Sequence, residues 1–277
     1  MQDKMKLKRI AQEVLELLDR GHYEVEAQTI RIAGWQNAAR LGTRLYTPSQ
    51  CEQLRSTPRD GETPSIQVLD ATTQVAAQQM AVEGTKTALL NFASARNPGG
   101  GFVNGAKAQE EDLCRCSGLY PCLLECMQYF DANRSCDSLI YTDHMIYSPE
   151  VPFFKTRGTG DLLAEPFTMS VLTAPAPNSR PFLEREQGDE VDLERAFLRR
   201  WQNVCCAAAD QGIESLLLGA WGCGAFGGDP EMAARTAEEA IRTHGRGLDS
   251  VVFAIPGKGK QSRRNLEVFG ERFGSLA

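Results

Sequence analysis

From residue 65 onward, short apolar runs alternate with amphipathic stretches, and at two places a glycine-rich loop joins such a run to the stretch that follows. The runs with the length of buried strands are SIQVLD (65–70), TALLNFA (87–93), FTMSVLTA (167–174), ESLLLGA (214–220) and LDSVVFAIP (248–256). The stretches with helical spacing are residues 72–84, 109–130, 191–212, 229–245 and 262–273. Strands that alternate with helices predict a three-layer α/β/α sandwich with a largely parallel or mixed sheet.

The first 60 residues are predicted to be a helical accessory segment, packed on a main domain of residues 61–277. Their clearest element is an amphipathic helix from about Met5 to Arg20, which has aliphatic residues on one face and Gly21 as its stop. The polar tract SQCEQLRSTPRDGETPS (49–65) is predicted to be a loop that separates the two parts.

The net charge of −6 argues against a broad nucleic-acid surface, because binding along a phosphate backbone needs many lysines and arginines at once. No stable nucleic-acid complex is therefore expected, and an anionic ligand should be held locally. No stretch approaches 18 apolar residues, and the N-terminal sequence alternates charged and aliphatic residues. These observations predict a cytoplasmic protein that does not associate with a membrane.

The nine cysteines could indicate disulfides, a metal site or buried thiols. The count is odd and no secretion signal precedes it, which favours reduced thiols. Five cysteines lie between residues 114 and 136, but their spacing gives no pair of C-x-x-C hooks and the chain has three histidines. Small buried apolar thiols are the expectation, with no metal and no cofactor.

The first glycine loop, NPGGGFVNG (97–105), leaves a predicted strand and enters a predicted helix. Glycine permits positive φ and lets a ligand approach the backbone, where successive N–H groups can bind a phosphate. A P-loop is the obvious alternative, since Gly100 and Gly105 satisfy its spacing. Ala106 occupies its lysine position, however, and Lys107, one residue later, is followed by Ala108 and not by the serine or threonine wanted for magnesium, so this alternative is weak.

The second loop, GAWGCGAFGGDPEM (219–232), contains a G-x-G-x-x-G pattern between a strand and a helix. A dinucleotide-binding site would need an acidic residue at the end of the next strand, whereas Asp249 lies at that strand's beginning. Asp229 is predicted to cap the following helix, with Pro230 as its first residue. Two such loops at the carboxyl ends of neighbouring strands would suit a diphosphate.

Gln109, Glu110 and Glu111 stand at the entry of the helix after the first loop. Acidic residues favour a helix N-terminus through its dipole, which is the structural explanation of the pair. Because a helix advances about 100° per residue, the two carboxylates are expected to diverge and to have different functions. One could act as general acid and base on a glycosidic bond while the other holds the ribose hydroxyls, and the like charge of a bound diphosphate should favour the protonated acid.

At these residues the sequence closely resembles the bacterial-type poly(ADP-ribose) glycohydrolases, a divergent branch of the macrodomain fold. The motif is GGGFVNGAKAQEE (99–111), with NFASARNPGGG before it and SGLYPCL after it. The similarity runs from about Ile66 to Pro256 and includes YSPEVPFF and GAWGCGAFGG. It implies an enzyme that hydrolyses the ribose–ribose O-glycosidic bond of poly(ADP-ribose), mainly from the terminal end, and releases ADP-ribose without a metal.

The resemblance also implies roles for individual residues. Glu111 would be the acid/base, acting through an oxocarbenium-like transition state, and Glu110 would bind the ribose hydroxyls. Further substrate contacts are predicted from both loops. They are Asn91, Ser94 and Asn97 at the sugar, Gly99, Gly100 and Gly101 at the diphosphate and distal ribose, Gly222, Cys223, Gly224, Ala225 and Gly227 over the phosphates, Phe226 stacked on the ligand, and Phe102 and Gln109 nearby.

Two alternatives stay open: a non-catalytic module that holds ADP-ribose, and a hydrolase of ADP-ribosylated proteins or other mono-ADP-ribosyl conjugates. The glutamate pair favours an enzyme, since a binding module needs the loops but no acid. Cys114 and Cys116 replace expected small residues and are candidates for redox sensitivity. The basic segment GKGKQSRR (257–264) either guides an anionic polymer or is a solvated loop. His144 is expected to be structural.

Overall fold

The computed structural model describes residues 2–274. The strands are β1 (His22–Val25), β2 (Gln28–Arg31), β3 (Arg44–Tyr46), β4 (Ser65–Leu69), β5 (Thr87–Phe92), β6 (Met145–Phe153), β7 (Phe167–Ala174), β8 (Ser215–Leu218) and β9 (Ser250–Ala254). The helices are α1 (Gln2–Arg20), α2 (Ala33–Gly42), α3 (Pro48–Ser56), α4 (Thr73–Val82), α5 (Gln109–Cys116), α6 (Leu119–Leu124), α7 (Met127–Arg134), α8 (Ser179–Arg185), α9 (Glu190–Asp210), α10 (Pro230–His244) and α11 (Lys260–Phe273). A 3₁₀ turn spans Phe102–Asn104.

Within these described residues, seven strands form one mixed sheet in the order β3-β6-β7-β5-β8-β9-β4. Strand β6 is antiparallel to both of its neighbours, whereas the strands from β7 to β4 pair in parallel. β1 and β2 form a separate antiparallel hairpin. The predicted mixed sheet is confirmed, and the five strands expected from the apolar runs are all present.

Two buried apolar clusters lie on the two faces of the sheet. Alternate residues of one strand divide between them, so that Ala88 and Leu90 join the first cluster while Leu89 joins the second. Helices α3, α9, α10 and α11 contribute to the first cluster, and α1, α2 and α4 to α7 contribute to the second. The sheet is thus covered on both sides, which is why its central strands are apolar throughout.

The prediction of a loop over residues 49–65 is wrong at its beginning, because α3 occupies Pro48–Ser56. Thr47 caps this helix by accepting a hydrogen bond from the backbone of Gln50, and the Gln50 side chain accepts one from the Thr47 backbone. This reciprocal pair is a capping box, with Pro48 at the first helical position. The T-P-S-Q sequence was the signal, and the polar composition of the helix concealed it.

The single helix predicted over residues 109–130 is also wrong, since the chain forms the three helices α5, α6 and α7 there. At Ser117 the backbone is extended and forms a β-bridge with Phe153 of β6. The next residue, Gly118, donates its N–H to Pro152 O at 2.9 Å. Pairing with the neighbouring strand therefore interrupts the helix and turns α6 away from α5.

The predicted N-terminal helix is present and starts earlier than expected, at Gln2. Its buried face includes Ile10, Val14 and Leu17, and a Cβ on Gly105 would contact the Lys4 carbonyl oxygen, so α1 packs directly on the first glycine loop. The division at residue 60 stays a prediction, although β3 from the N-terminal part is the edge strand of the main sheet. None of the helices in residues 2–274 has the length and apolarity needed to span a membrane.

Candidate active site

Strands β5 and β8 are neighbours in the sheet and run in parallel, so the loops that follow them emerge at the same edge. The loop after β5 carries the glycine triplet and leads into α5, and the loop after β8 carries the second glycine cluster and leads into α10. The crevice at the carboxyl ends of parallel strands is the usual ligand site of such sheets. The predicted convergence of the two loops follows from this topology.

Gly100 lies directly against the glutamate pair, in the left-handed conformation with φ 59°. A Cβ at this position would overlap Glu111 Oε1 and stand 3.1 Å from Glu110 Oε2. No other residue fits, both because of the positive φ and because two carboxylates occupy the space. The predicted divergence of the pair is therefore wrong. Side chains of a helix lean toward its N-terminus, and this tilt brings both carboxylates under one glycine.

Glu110 is 2% exposed, and protein N–H groups bind both of its oxygens. Asn91 Nδ2 donates to Oε1 at 3.2 Å, and the Ser94 backbone N–H donates to Oε2 at 2.7 Å. The Gly99 backbone N–H lies near the same carboxylate and acts to lower its pKa. Burial raises the pKa of Glu110 to about 8, because the charged form loses its water, while these donors act in the opposite direction.

Glu111 is bound differently, although it is also buried at 8% exposure. Its Oε1 accepts the Gly101 backbone N–H at 2.9 Å. Its Oε2 is buried and has no hydrogen-bond partner in residues 2–274. Unpartnered buried oxygens are rare in folded proteins and mark strain or function.

Two of the triplet's backbone amides are used within the protein. The Gly101 N–H donates to Glu111 Oε1, and the Gly100 N–H donates to Asn97 O at 3.0 Å. The predicted position of the triplet against the diphosphate and the distal ribose stays a prediction. The glycines are needed here because the carboxylates approach the backbone so closely.

Gln109 fixes the start of α5 to the end of β5. Its Oε1 accepts the Phe92 N–H at 2.8 Å, and its Nε2 donates to Leu90 O at 2.8 Å. The side chain thereby completes the backbone hydrogen bonds of β5 where no strand partner does so. Gln109, a predicted substrate contact, thus has both its Oε1 and its Nε2 bound by the protein.

The remaining predicted residues of the first loop differ in accessibility. Ser94 is half-buried, and its hydroxyl accepts the backbone N–H of Asn97 at 3.1 Å, which shapes the turn before the triplet. Asn97 itself is exposed. Phe102 is fully buried, with its ring 5.2 Å from that of Tyr120, so its side chain belongs to the core. A substrate contact of Phe102 could come only from its backbone.

The second loop presents backbone amides to solvent. It is closed by the Gly228 N–H, which donates to Gly222 O at 2.9 Å, and by the Gly227 N–H, which donates to Gly224 O at 3.0 Å. At its tip Gly224 and Ala225 are exposed, and within the described chain no protein acceptor binds the N–H groups of Gly224, Ala225 or Phe226. Consecutive free amides of this kind form an anion-binding concavity.

Cys223 and Phe226 differ in burial within this loop. The Cys223 thiol is fully buried and points toward Trp221 O at 3.6 Å, so it faces the core. The Phe226 ring is half-buried and lies 6.3 Å from the ring of Tyr141, at the rim of the crevice. Asp229 accepts the Met232 N–H and Pro230 begins α10, which confirms the predicted cap.

Two residues at the site were missed by the sequence analysis. Thr173 pairs with Asn91 across β7 and β5, and its hydroxyl accepts from Asn91 Nδ2 at 3.2 Å. Tyr129 is buried, donates to Ser94 O at 3.4 Å, and has a raised pKa, first because of burial and then because of Glu110. The signal for Thr173 was a polar residue near the end of a buried strand, as at Asn91; nothing local marked Tyr129.

The cysteines are free thiols, and all except Cys136 are buried, which confirms the expected burial. Cys114 lies under Gly99, where an added Cβ would be 3.2 Å from its sulfur. Burial raises the pKa of Cys114 and Cys116 well above the ordinary value, so both are held as thiols. The described residues contain no group of three side chains suited to hold a metal ion.

The two other features that the sequence analysis singled out lie outside this network. His144 shares a hydrogen bond of 2.9 Å with the Thr142 hydroxyl, and burial lowers its pKa. The basic segment 257–264 includes the start of α11 and is largely exposed, with Arg264 3.9 Å from Asp229 beside the second loop. Its predicted role stays open.

Comparison with known proteins identifies the family. The family model described as the microbial-type poly(ADP-ribose) glycohydrolase (PARG) catalytic domain matches residues 11–156. The chain belongs to the microbial-type PARG family. Comparison with curated protein sequences gives no match.

Solved structures of PARG enzymes extend this match over nearly the whole chain. The Thermomonospora curvata PARG bound to the inhibitor ADP-HPD is 37% identical, with a TM-score of 0.88, over 97% of this chain and 99% of that one. The Deinococcus radiodurans PARG in complex with ADP-ribose is 39% identical, with a TM-score of 0.81, over 88% of this chain and 98% of that one. The prediction of a poly(ADP-ribose) glycohydrolase is confirmed over that of a non-catalytic module.

Proposed function

We propose that this PARG removes the terminal ADP-ribose unit of poly(ADP-ribose), with Glu111 as acid and base and Glu110 as the residue that holds the ribose hydroxyls. The observation that carries the proposal is the unequal bonding of the two carboxylates. Protein N–H groups bind both oxygens of Glu110, whereas Glu111 accepts one N–H on Oε1 and its Oε2 has no partner among residues 2–274.

A general acid must carry a proton and release it to the leaving oxygen. Glu110 is poorly suited to this, because protein N–H groups already bind both of its oxygens and hold the carboxyl group in one orientation. Glu111 can take a proton on Oε2 while Oε1 keeps its bond to the Gly101 amide. Glu110, held in one orientation, is suited to accept hydrogen bonds from the sugar when it is ionised.

The reaction then uses Glu111 twice. Its proton passes to the leaving oxygen as the C–O bond to the distal ribose breaks, which leaves an oxocarbenium-like sugar and a Glu111 carboxylate. A water molecule attacks that sugar carbon and gives its proton to the carboxylate, which restores the starting state. The ribose hydroxyls donate to Glu110 and thereby favour its ionised form, and its negative charge then stabilises the developing positive charge.

The second loop supplies the other half of the site. Its free amides at Gly224, Ala225 and Phe226 would bind the diphosphate, and the Phe226 ring would pack on the distal ribose. The ADP-ribose bound by the Deinococcus radiodurans relative supports a ligand of this kind. Exo cleavage is favoured because a chain with net charge −6 is better suited to capture one terminal unit by local amides than to bind along a polyanion.

The test is a pair of matched variants, Glu111→Gln and Glu110→Gln, assayed for release of ADP-ribose from polymer and for ADP-ribose affinity by calorimetry. Glu111→Gln should lower kcat by about 10³-fold, the range of a lost general acid, and keep its affinity. Glu110→Gln should weaken ADP-ribose binding at least about 10-fold, because charged acceptors of hydrogen bonds contribute roughly 1.5–3 kcal/mol. Normal turnover by Glu111→Gln would refute the proposal.

Two further measurements concern the substrate class and the choice between exo and endo cleavage. The chain lengths of the products report exo cleavage, since terminal release yields ADP-ribose without intermediate oligomers at early times. Mono-ADP-ribosylated protein, assayed in parallel, shows whether the same carboxylates act on such conjugates. Early accumulation of oligomers would contradict the exo assignment without affecting that of Glu111.

A further inference from the structure

Beside the glutamate pair, three segments bring Arg96, Tyr141 and Phe226 together. The Tyr141 ring lies 6.3 Å from the Phe226 ring, and the Arg96 guanidinium lies 6.0 Å from the Tyr141 ring centroid. Tyr141 precedes β6, whose Ile146 pairs with Thr173 near the end of β7. All three residues therefore stand at the edge of the sheet that carries the active site.

The backbone of Tyr141 is held in the left-handed region, with φ 65°. Residues other than glycine rarely adopt this conformation, bulky ones least of all, and it persists where the surrounding structure enforces it. Such strain is characteristic of functional sites, because a relaxed loop would simply avoid it. Neighbouring contacts must therefore stabilise this backbone conformation. The choice of tyrosine at a position that favours glycine indicates that its side chain has a function.

The support is a buried network beneath the segment. Arg200, 1% exposed, donates to Ile140 O at 2.5 Å and to Tyr141 O at 3.0 Å, and it pairs with Asp143 at 3.1 Å. Asn133 Oδ1, from α7, accepts both the backbone N–H and the hydroxyl of Thr142 at 2.9 Å. A buried charge and a buried amide thus fix the backbone on both sides of Tyr141.

The Tyr141 ring itself contributes little to the core. It is half-exposed, and its hydroxyl has one long contact, at 3.4 Å, with Asn178 Nδ2. The neighbouring Arg96 is exposed on the loop that contains Ser94 and the glycine triplet. An aromatic face beside an arginine is a platform on which a nucleobase stacks while the guanidinium binds phosphate.

We propose that Tyr141 and Arg96 form a subsite for the ADP-ribose unit on the leaving side of the scissile bond. This inference rests on the proposed function, which places the distal ribose of the terminal unit between Glu111 and Phe226. In the polymer the leaving oxygen belongs to the adenosine ribose of the next unit, so that unit's adenine lies one sugar ring from the cleaved bond. The adenine stacks on Tyr141, and the attached diphosphate contacts Arg96. The subsite makes the enzyme favour polymer over conjugates that lack an adjoining nucleotide.

The experiment compares two ligands, ADP-ribose and the O-linked ADP-ribose dimer, by calorimetry in the Glu111→Gln background. Tyr141→Asn removes the ring with a residue that tolerates the left-handed conformation, and Tyr141→Phe is the control that keeps the ring. Tyr141→Asn should weaken dimer binding about 10- to 100-fold, the range of one lost base stack, and change ADP-ribose binding less than about twofold. Tyr141→Phe should bind both ligands like its parent.

Two results would overturn the subsite. An equal loss for both ligands would place Tyr141 against the terminal unit, and an unchanged dimer affinity would leave the ring without a ligand. If Tyr141→Asn does not fold, as thermal unfolding will show, the test passes to Arg96→Gln, which should weaken the dimer roughly 3- to 10-fold and spare ADP-ribose. Hydrolysis of the dimer by Glu111→Gln would count against the proposed role of Glu111. The subsite is judged separately, from the ratio of dimer affinity to ADP-ribose affinity.

Discussion

The two glycine loops leave neighbouring strands at the same edge of the sheet, yet they use glycine for opposite purposes. In the first loop the amide of Gly101 binds Glu111, and the missing Cβ of Gly100 makes room for two carboxylates. In the second loop a Cβ on Gly224 would meet nothing within 4 Å, and the amides at the tip have no acceptor among residues 2–274. The first loop therefore contacts the glutamate pair, whereas the tip of the second loop leaves its amides free.

This difference explains why a glycine-rich motif alone is a weak guide to ligand contact. Glycine permits positive φ, close approach and exposed amides, and sequence does not say which of the three is in use. Gly100 and Gly101 lie nearest the glutamate pair, and their amides already have protein acceptors. Phosphate binding should therefore depend mainly on the second loop, and the geometry of the acid mainly on the first.

The largest effect that would test this contrast is expected from Gly100→Ala. The added methyl would overlap Glu111 Oε1, and alanine would have to adopt the backbone φ of 59°. The Glu111 carboxylate therefore has to move. Displacement of a general acid should lower kcat on polymer by about 10²- to 10⁴-fold. The matched control is Gly224→Ala, which has open space and should keep its stability and kcat, with any change confined to KM. Similar losses of kcat in the two variants would show that the loops do not divide their work.

The second prediction concerns pH and Glu110. Its pKa of about 8 in the folded protein lies above the ordinary glutamate value of 4.5, so between these values the folded protein keeps a proton that the unfolded chain has lost. The resulting stabilisation is complete below about pH 4.5 and is lost as pH rises through about 8, with a slope of at most about 1.4 kcal/mol per pH unit. Relative to Glu110→Gln, the parent should lose on the order of 3 kcal/mol of unfolding free energy between pH 5 and 8. Denaturant titrations at several pH values measure it, and parallel curves would show that the N–H donors keep the carboxylate ionised.

Gln109→Met tests how firmly the first loop is braced, and a smaller effect is expected. The change removes the side chain's bonds to Phe92 N and Leu90 O, together with a longer one to the Thr73 hydroxyl, and should cost about 1–3 kcal/mol of unfolding free energy. Gln12→Met is a suitable control, because Gln12 is exposed and bonds only to Glu16 on the surface of α1. A fall of kcat beyond the loss of folded protein would show that the brace also positions the glutamates. Stability equal to that of Gln12→Met would refute it.

Much of the fold followed from the sequence because buried strands and amphipathic helices have distinct periods. The loop prediction failed where local polarity concealed a cap, as at Thr47, and the helix prediction failed where a distant strand interrupted the helix, as at Ser117. The predicted position of the glutamate pair at the entry of a helix is confirmed, since its motif is contiguous. Its geometry was not, because the close approach of Gly100 depends on contacts across the loop.

Residues contributed by other segments were the least visible. Tyr129 on α7 donates to Ser94 O, and Arg200 on α9 donates to Tyr141 O. Neither residue lies in a motif that indicates a functional site. Strand register pairs Thr173 with Asn91, but parallel strands are joined by long crossovers, so neither strand alone shows which residues will pair. The sequence therefore indicated the candidate reacting groups better than the residues that contact them.

The smallest expected effect separates stability from binding at the second loop. Asp229 and Asp189 cap α10 and α9 in the same manner, each accepting a backbone N–H from the first turn, so replacing either by alanine should cost about 1 kcal/mol of unfolding free energy. Only Asp229 follows the second loop, so Asp229→Ala should also weaken ADP-ribose binding about two- to fivefold by loosening the loop's exit, whereas Asp189→Ala should not. Thermal unfolding and calorimetry on the two variants measure both quantities. If both variants bind ADP-ribose equally well, the amides at the tip are held by the closing bonds at Gly227 and Gly228, and the cap contributes to the helix alone.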